Sequence, residues 1–149
     1  MGARSKRLLV ICLTVVVVAI VSTVLYSAKV MNPRVIEELT ADPNGERAKK
    51  VMLLTFPDDK TLPVNYLHEG DHVYAGADFG WWKSFQGDGA PVTLLIKGET
   101  LHGHATVILG DPTFTETIFS RLRPTVPKWL PRWLNGKLVV IALDSTAGN

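Results

Sequence analysis

The fold is decided by residues 51–77, which are VMLLTFPDDKTLPVNYLHEGDHVYAGA. The stretch begins with a short apolar run, Val51–Phe56, and the composition of the following Pro57-Asp58-Asp59-Lys60 is typical of a tight turn. Thr61–Leu67 alternates between apolar and polar residues, and a second turn precedes His72–Ala77. These residues therefore predict a three-stranded antiparallel meander.

The chain after the meander predicts a hairpin, a helix and a last strand. Val92–Ile96 and Thr100–Leu109 flank the turn Lys97-Gly98-Glu99, and the second strand is long enough to bend around a barrel. Thr113–Arg123 predicts a helix, and Lys137–Leu143 is an apolar strand. Six strands with one helix before the last predict a mainly β (α+β) protein with a small closed barrel, because closure removes exposed sheet edges.

The N-terminal part predicts a membrane anchor. Leu8–Tyr26 contains no charged residue, no Pro and no Gly, and as a helix it would be about 28 Å long, close to the hydrocarbon core of about 30 Å. We therefore predict a basic stub at 1–7, a transmembrane helix at 8–28, a juxtamembrane helix and linker at 29–49, and the barrel domain at 50–144.

A signal peptide is the alternative interpretation of the apolar run. Signal peptides have an apolar region of about 7–15 residues and small residues at the cleavage site, whereas here bulky Tyr26 lies two residues before Ala28. A retained single-pass anchor is therefore favoured. The basic flank before the helix exceeds Lys29 and Arg34 after it by one residue, which favours an outward-facing domain but leaves its side of the membrane open.

Charge and cysteine content exclude several function classes. Of the 16 basic residues, four lie in residues 1–31 together with no acidic residue, so the remainder carries 12 basic and 14 acidic residues. That balance gives no indication of nucleic-acid binding. Cys12 is the single cysteine and lies in the apolar run, so no disulfide framework is predicted. His102 and His104 share a strand face without a third ligand, and we predict no metal site.

Several segments of the chain follow the residue order of a known family: Val51–Phe56, Thr61–Leu67, Gly70–Ala77, Trp81–Phe85 and Pro91–Ala105. The first three resemble the opening strands of the deazaflavin (F420)-dependent nitroreductases, relatives of the pyridoxamine phosphate oxidase-like flavin proteins. Trp81–Phe85 resembles the Trp-Tyr-x-Asn-Leu segment of that family, and Pro91–Ala105 resembles its Pro-x-Val-x-Val-x-x-Gly hairpin. The resemblance covers roughly Lys50 to Leu143.

The resemblance implies a six-stranded split β-barrel, FMN-binding-like, with one or two short helices and a flavin-type cofactor, F420 or FMN, in a groove lined by strands two and three. It implies reduction of quinones, nitro compounds or similar apolar acceptors by hydride transfer. It implies no particular catalytic residue. The partners it implies are a small apolar electron acceptor and a possible second copy of the chain, since split barrels are often dimers that share the cofactor groove. Membrane lipid is a further predicted partner, which follows from the anchor and not from the resemblance.

The resemblance also assigns cofactor-binding roles along the chain. Three groups of residues are implied: those facing the cofactor from the first turn and second strand, those approaching its phosphate or ring from strand three, and those closing the pocket. In that order they are Lys60, Thr61, Pro63 and Asn65; Ala75, Gly76 and Ala77; and Trp81 and Lys83.

Two observations keep a different class of function open. The turn Pro57–Lys60 holds two carboxylates beside one lysine, which repel a polyanion. Trp81 and Trp82 could stack on a ring or simply fill a barrel end. The alternative function is a non-catalytic, membrane-anchored barrel that binds a lipid-like ligand or a protein partner. Lys128–Leu134, which mixes basic and indole side chains, predicts either contact with the membrane interface or a lid over the barrel.

Overall fold

The computed structural model describes residues 3–26, 32–127, 129 and 136–144. The chain divides into two compact units, Met1–Glu37 and Glu38–Asn149. Most of the basic and aromatic segment Lys128–Leu134 lies outside the described residues, so its predicted role stays a prediction.

The first unit contains helix α1, Ala3–Tyr26. Its part Ser5–Tyr26 has a mean hydropathy of 3.1 and is long and apolar enough to cross a membrane, by length and composition alone. The hydroxyls of Thr14 and Thr23 donate to the carbonyls of Val10 and Ala19, at 2.9 and 2.8 Å. These two polar side chains are therefore satisfied within the helix. Helix α2, Asn32–Ala41, begins in this unit and ends in the second.

The second unit is a closed antiparallel barrel of six strands, which confirms the predicted fold class. The strands are β1 (Val51–Thr55), β2 (Thr61–Glu69), β3 (His72–Ala77), β4 (Ala90–Ile96), β5 (Glu99–Ile108) and β6 (Lys137–Leu143). Their order around the barrel is β1-β2-β3-β6-β5-β4, and β4 pairs with β1 to close it. Helix α3 is Pro112–Leu122, and a 3₁₀ helix spans Trp81–Phe85.

Alternation along the strands builds the core, because successive side chains of a strand point to opposite faces. The barrel interior is filled by apolar residues of every strand and by Phe85 of the 3₁₀ helix: Met52, Leu54, Phe56, Val64, Tyr66, Val73, Ala75, Ala77, Phe85, Val92, Leu94, Ile96, Ala105, Val139 and Ile141. Helix α3 covers part of the outer face, where Ile118 and Phe119 pack with Leu138 of β6. Asp111 caps this helix by accepting a hydrogen bond from the Phe114 amide at 2.9 Å.

The strand register gives the barrel two distinct ends. In this register, Thr55 pairs with Thr61, Ala77 with Lys137 and Ile108 with Leu138. These pairs bring together the ends of β1, β3 and β5 and the starts of β2 and β6. We call this the aromatic end; its loops are Phe56–Lys60, Asp78–Gly89 and Leu109–Asp111. The opposite end, called the polar end, carries the turns Gly70-Asp71 and Lys97-Gly98.

Candidate functional site at the aromatic end

Three aromatic rings close the barrel at the aromatic end. Phe56 stacks on the fully buried Phe85, with 5.2 Å between ring centroids. Trp81 packs edge-on against both rings, at 5.9 Å from Phe56 and 6.0 Å from Phe85. The 3₁₀ helix therefore places Trp81 in the plug of the barrel, so its indole already has packing partners within the chain.

Two lysines at this end of the barrel each have an ammonium group near an aromatic ring. The Nζ of Lys60 lies 5.9 Å from the centroid of the Phe56 ring, and the Nζ of Lys83 lies 5.9 Å from that of Trp82. Neither lysine has an ion-pair partner among the residues that the structure describes. Thr61 follows Lys60 at the start of β2, and its hydroxyl is 2.9 Å from the hydroxyl of Thr55. We call Lys60, Thr61, Trp81 and Lys83 the lysine corner.

The turn before β2 weakens the positive charge of the lysine corner. The Asp58 carboxylate accepts a hydrogen bond from the Lys60 amide at 3.3 Å, as in an Asx turn. Asp59 has a left-handed backbone, with φ of 63°. Two carboxylates therefore flank one of the two cations, which lowers the attraction of the corner for a polyanion.

Pro63 and Asn65 lie on the outer face of β2. Val64 between them is buried in the barrel core, whereas Asn65 is exposed and Pro63 is half-buried. The register places Pro63 beside Leu53 and Asn65 beside Val51. These two residues thus continue from the lysine corner along the outside of the barrel.

The strand-three residues are arranged differently from the corner. Ala75 and Ala77 are buried and belong to the interior cluster, and Ala75–Ala77 pair with residues of β6. Gly76 faces outward, but a Cβ atom there would lie 2.5 Å from Nη2 of Arg123. The outer face of Gly76 is therefore already covered by a side chain of this protein.

Arg123 is the residue of this region that the sequence reasoning missed. Its Nη1 donates to Oδ1 of Asp78 at 3.0 Å, and its Nη2 donates to Oδ2 of Asp78 at 2.8 Å and to the Gly76 carbonyl at 3.0 Å. The guanidinium also lies 5.3 Å from the centroid of the Phe119 ring. Arg123 follows α3 and Asp78 follows β3, and no local pattern connects two residues so far apart in the chain.

Two cavities are bounded by described residues. One, of about 410 Å³, lies at the polar end between Lys49, His68 and Glu99. The other, of about 690 Å³, lies beside α3 and is lined by Leu109, Phe119 and Arg123 among others. None of the cofactor-binding residues implied by the family resemblance lines either cavity.

Tyr66 is a buried tyrosine of β2. Its hydroxyl donates to the Ala48 carbonyl at 3.0 Å, and burial raises the pKa of Tyr66 above its ordinary value of 10.0. It lines the polar-end cavity, remote from the lysine corner in the strand register.

The histidine pair of β5 is divided between separate partners. Nδ1 of His102 lies 3.2 Å from the Thr93 hydroxyl, and Nε2 of His104 lies 2.6 Å from the Asp88 carbonyl. Within the described part of the chain, no group of three or more His, Cys, Asp or Glu residues could hold a metal ion.

Comparison with known proteins supports the fold. No family model and no curated protein matches the chain. A solved structure named "Putative Pyridoxamine 5'-phosphate oxidase" from Listeria innocua is similar, with a TM-score of 0.53 and 16% sequence identity, over 66% of this chain and 88% of that chain. The chain therefore has the split β-barrel fold of pyridoxamine 5′-phosphate oxidase-like proteins. The narrower resemblance to deazaflavin-dependent nitroreductases stays a prediction.

The lysine corner is the part of the barrel whose chemistry fits a flavin-type group. Lys60 and Lys83 are cations without ion-pair partners in the described chain, and Trp81 and Trp82 supply flat apolar surface beside them. In strand three, Arg123 covers the outer face of Gly76 and both alanines are buried, and the cofactor-binding role implied for these residues stays a prediction.

Proposed function

We propose that this chain is a membrane-anchored split-barrel oxidoreductase that binds a flavin-type cofactor, FMN or F420, and reduces a quinone, a nitro compound or a similar apolar acceptor. The observation that carries the proposal is the lysine corner: two lysines and an indole, which β2 and β3 separate in sequence, lie at the same end of a barrel whose fold resembles that of flavin proteins.

The residues of the lysine corner have distinct roles in this proposal. Lys60 and Lys83 would bind the cofactor phosphate, because ammonium groups donate strong charge-assisted hydrogen bonds to phosphate oxygens. Thr61 would add a hydroxyl, and the exposed edges of Trp81 and Trp82 would orient the ring. A reduced flavin or deazaflavin supplies a hydride to an acceptor when bound.

The apolar helix Ser5–Tyr26 supports the choice of acceptor. A barrel tethered to a bilayer meets lipid-soluble molecules at a raised effective concentration, which favours a quinone-like acceptor over a water-soluble one. A homodimer is part of the proposal, since the outer face of β2 with Pro63 and Asn65 would then border a groove between two copies.

Cofactor binding is tested on the full chain in detergent micelles. FMN and F420 are titrated separately, and binding is followed by the change in cofactor fluorescence. Lys60→Ala and Lys83→Ala should each weaken binding about fivefold, since an exposed charged contact is worth up to about 1 kcal/mol. Lys50→Ala is the matched control, because Lys50 is exposed and precedes β1 at the other end of the barrel.

The acidic turn provides a second arm of the same experiment. Replacing both carboxylates, Asp58→Asn with Asp59→Asn, should tighten cofactor binding several-fold by removing repulsion of the phosphate. The oxidoreductase proposal is abandoned if neither cofactor binds the wild type at micromolar concentration, or if Lys50→Ala weakens binding as much as the two corner variants do.

A second candidate function is a non-catalytic barrel that binds a lipid-like ligand. It is favoured by the Arg123–Asp78 pair, which occupies the strand-three surface that a cofactor would use, and by the cavity of about 690 Å³ beside α3. That volume lies within the range of small-molecule sites. Co-purification of a lipid by the wild type, together with no binding of FMN or F420, would favour this function.

A further inference from the structure

The interior of the barrel changes from apolar to polar at the polar end. Tyr66 faces the interior from β2, and His68 occupies the next inward position of that strand. Leu101 packs against the interior from β5, and Glu99 occupies the next inward position there. A cavity of about 410 Å³ lies among these residues, and its volume is within the range of small-molecule sites.

Three of the polar side chains that line this cavity have partners within the chain. Lys49 forms an ion pair with Glu46. Nε2 of His68 lies 3.1 Å from the Gly70 carbonyl oxygen, and the Tyr66 hydroxyl donates to a backbone carbonyl. These contacts fix the three side chains at the wall of the cavity, so that they contribute to its shape more than to the binding of a charged ligand.

Lys97 and Glu99 also line the cavity, and they have no ion-pair partner in the part of the chain that the structure describes. They lie on either side of Gly98. Lys97 has φ of 50° and Gly98 has φ of 80°, as a two-residue hairpin turn requires. A Cβ atom at Gly98 would lie 2.9 Å from Cβ of Pro43, so the turn packs against the segment before β1. The cation and the carboxylate are therefore attached to a short and supported turn.

The two opposite charges define the class of ligand that fits. An anion would be attracted by Lys97 but repelled by Glu99, and a cation would meet the reverse arrangement. The floor of the cavity is apolar, because Ile96 and Leu101 belong to or pack against the barrel core. A small molecule that carries both charges and an apolar body matches all three features.

We propose that the polar-end cavity binds a small zwitterion with an apolar body, of the size of an apolar amino acid. Its carboxylate would contact Lys97, its ammonium group would contact Glu99, and its body would pack on Ile96 and Leu101. The inference does not rest on the proposed function, since it uses no residue of the lysine corner. The two sites lie at opposite ends of the barrel, so both could be occupied at once.

Binding is measured by fluorine NMR on the full chain in detergent micelles. The probe is para-fluorophenylalanine, whose fluorine signal should broaden and shift when the ring enters the cavity. Two analogues test the charges separately: para-fluorophenylpropionate lacks the ammonium group, and para-fluorophenethylamine lacks the carboxylate. Micelles without protein provide the blank for partition of the ring into detergent.

The wild type should bind the zwitterion more tightly than either analogue. Lys97→Gln and Glu99→Gln should each weaken binding of the zwitterion about fivefold, which is the upper range for an exposed charged contact. Lys97→Gln should leave binding of the amine undiminished, and Glu99→Gln should do the same for the propionate. Both side chains are exposed, so neither change removes core packing.

Two further variants provide matched controls for the loss of charge. Lys50 and Asp144 are exposed residues near the polar end, and neither lines the cavity. Lys50→Gln and Asp144→Asn should therefore bind the zwitterion as the wild type does. Lys97→Gln should also bind FMN or F420 as the wild type does, so this proposal and the cofactor proposal can fail separately.

Four results would overturn the inference. The zwitterion would have to bind only at concentrations above about 10 mM, or no more tightly than one of its analogues. Wild-type affinity in both Lys97→Gln and Glu99→Gln would place the ligand elsewhere on the protein. An equal loss of affinity in Lys50→Gln or Asp144→Asn would mean that the overall charge of this end, rather than a site, attracts the probe.

Discussion

The two ends of the barrel are built from the same strands but differ in chemistry. The aromatic end has a buried plug of Phe56, Trp81 and Phe85 and carries the exposed Phe79. The polar end has a two-residue hairpin turn, Lys97-Gly98, and its described residues include no exposed large apolar side chain. The same strands of a closed barrel can therefore end in a packed aromatic plug on one side and in ordinary turns on the other.

The largest expected loss of stability comes from removing the Phe85 ring from the aromatic plug. Phe85→Ala should lower the free energy of unfolding by about 3–5 kcal/mol, because Phe85 is fully buried and its loss leaves a cavity under Phe56 and Trp81. Urea denaturation measures the loss. Trp82→Ala, which removes a half-buried indole from the same 3₁₀ helix, should cost clearly less; equal losses would mean that the plug is not part of the core.

The ion pair that supports the Phe79 loop should have the next largest effect. Arg123→Ala removes two hydrogen bonds to Asp78, one to the Gly76 carbonyl and the contact with Phe119, which together should cost about 2 kcal/mol of unfolding free energy. The value is discounted because Asp78 is partly exposed.

A neighbouring pair provides the control for Arg123. Arg121 of the same helix pairs with Glu69 next to the polar-end turn, and both side chains are partly exposed. Arg121→Ala should therefore cost no more than about 0.5 kcal/mol. A loss for Arg121→Ala that equals the loss for Arg123→Ala would mean that the Arg123–Asp78 pair supports its loop no more strongly than an exposed ion pair does.

A substitution of Tyr66 tests a hydrogen bond near the polar end of the barrel. Tyr66→Phe removes the hydrogen bond to the Ala48 carbonyl and should lower the free energy of unfolding by about 1 kcal/mol at neutral pH. Burial raises the pKa of Tyr66 in the folded state. The contribution of Tyr66 to the free energy of unfolding is therefore complete below the pKa of about 10 in the unfolded state, and it is lost as the pH rises through the pKa in the folded state.

The pH dependence of that variant is the decisive measurement. The stability difference between wild type and Tyr66→Phe should shrink as the pH rises above about 10. A difference that stays constant up to strongly alkaline pH would show that the folded protein does not resist ionisation of this phenol.

The smallest expected effect has the opposite sign. Phe79→Gly should raise the free energy of unfolding by up to about 1 kcal/mol, because glycine adopts the left-handed conformation without strain and the exposed ring contributes little packing. Urea denaturation in detergent micelles measures the gain. A destabilised Phe79→Gly variant would instead indicate that the ring packs against the protein.

Much of the fold followed from local patterns. Apolar alternation and turn composition predicted the meander around Thr61–Leu67 and the hairpin around Lys97. They could do so because a strand with one buried face has an apolar residue at every second position. The site was less predictable. Lys60, Gly76 and Trp81 were identified as candidates, but the Arg123 side chain over Gly76 was not, since the local sequence does not indicate which distant side chain packs on a strand.

The apolar helix and the barrel strands were predictable, because hydrophobic periodicity and run length are local properties of the chain. The folded barrel was needed to show that Phe79 and Leu109 share one end, that Lys60 and Lys83 lie at that same end, and that Arg123 covers strand three. The physical reason is that strand register and helix packing depend on the summed burial of many side chains, and this sum exists only when the barrel closes.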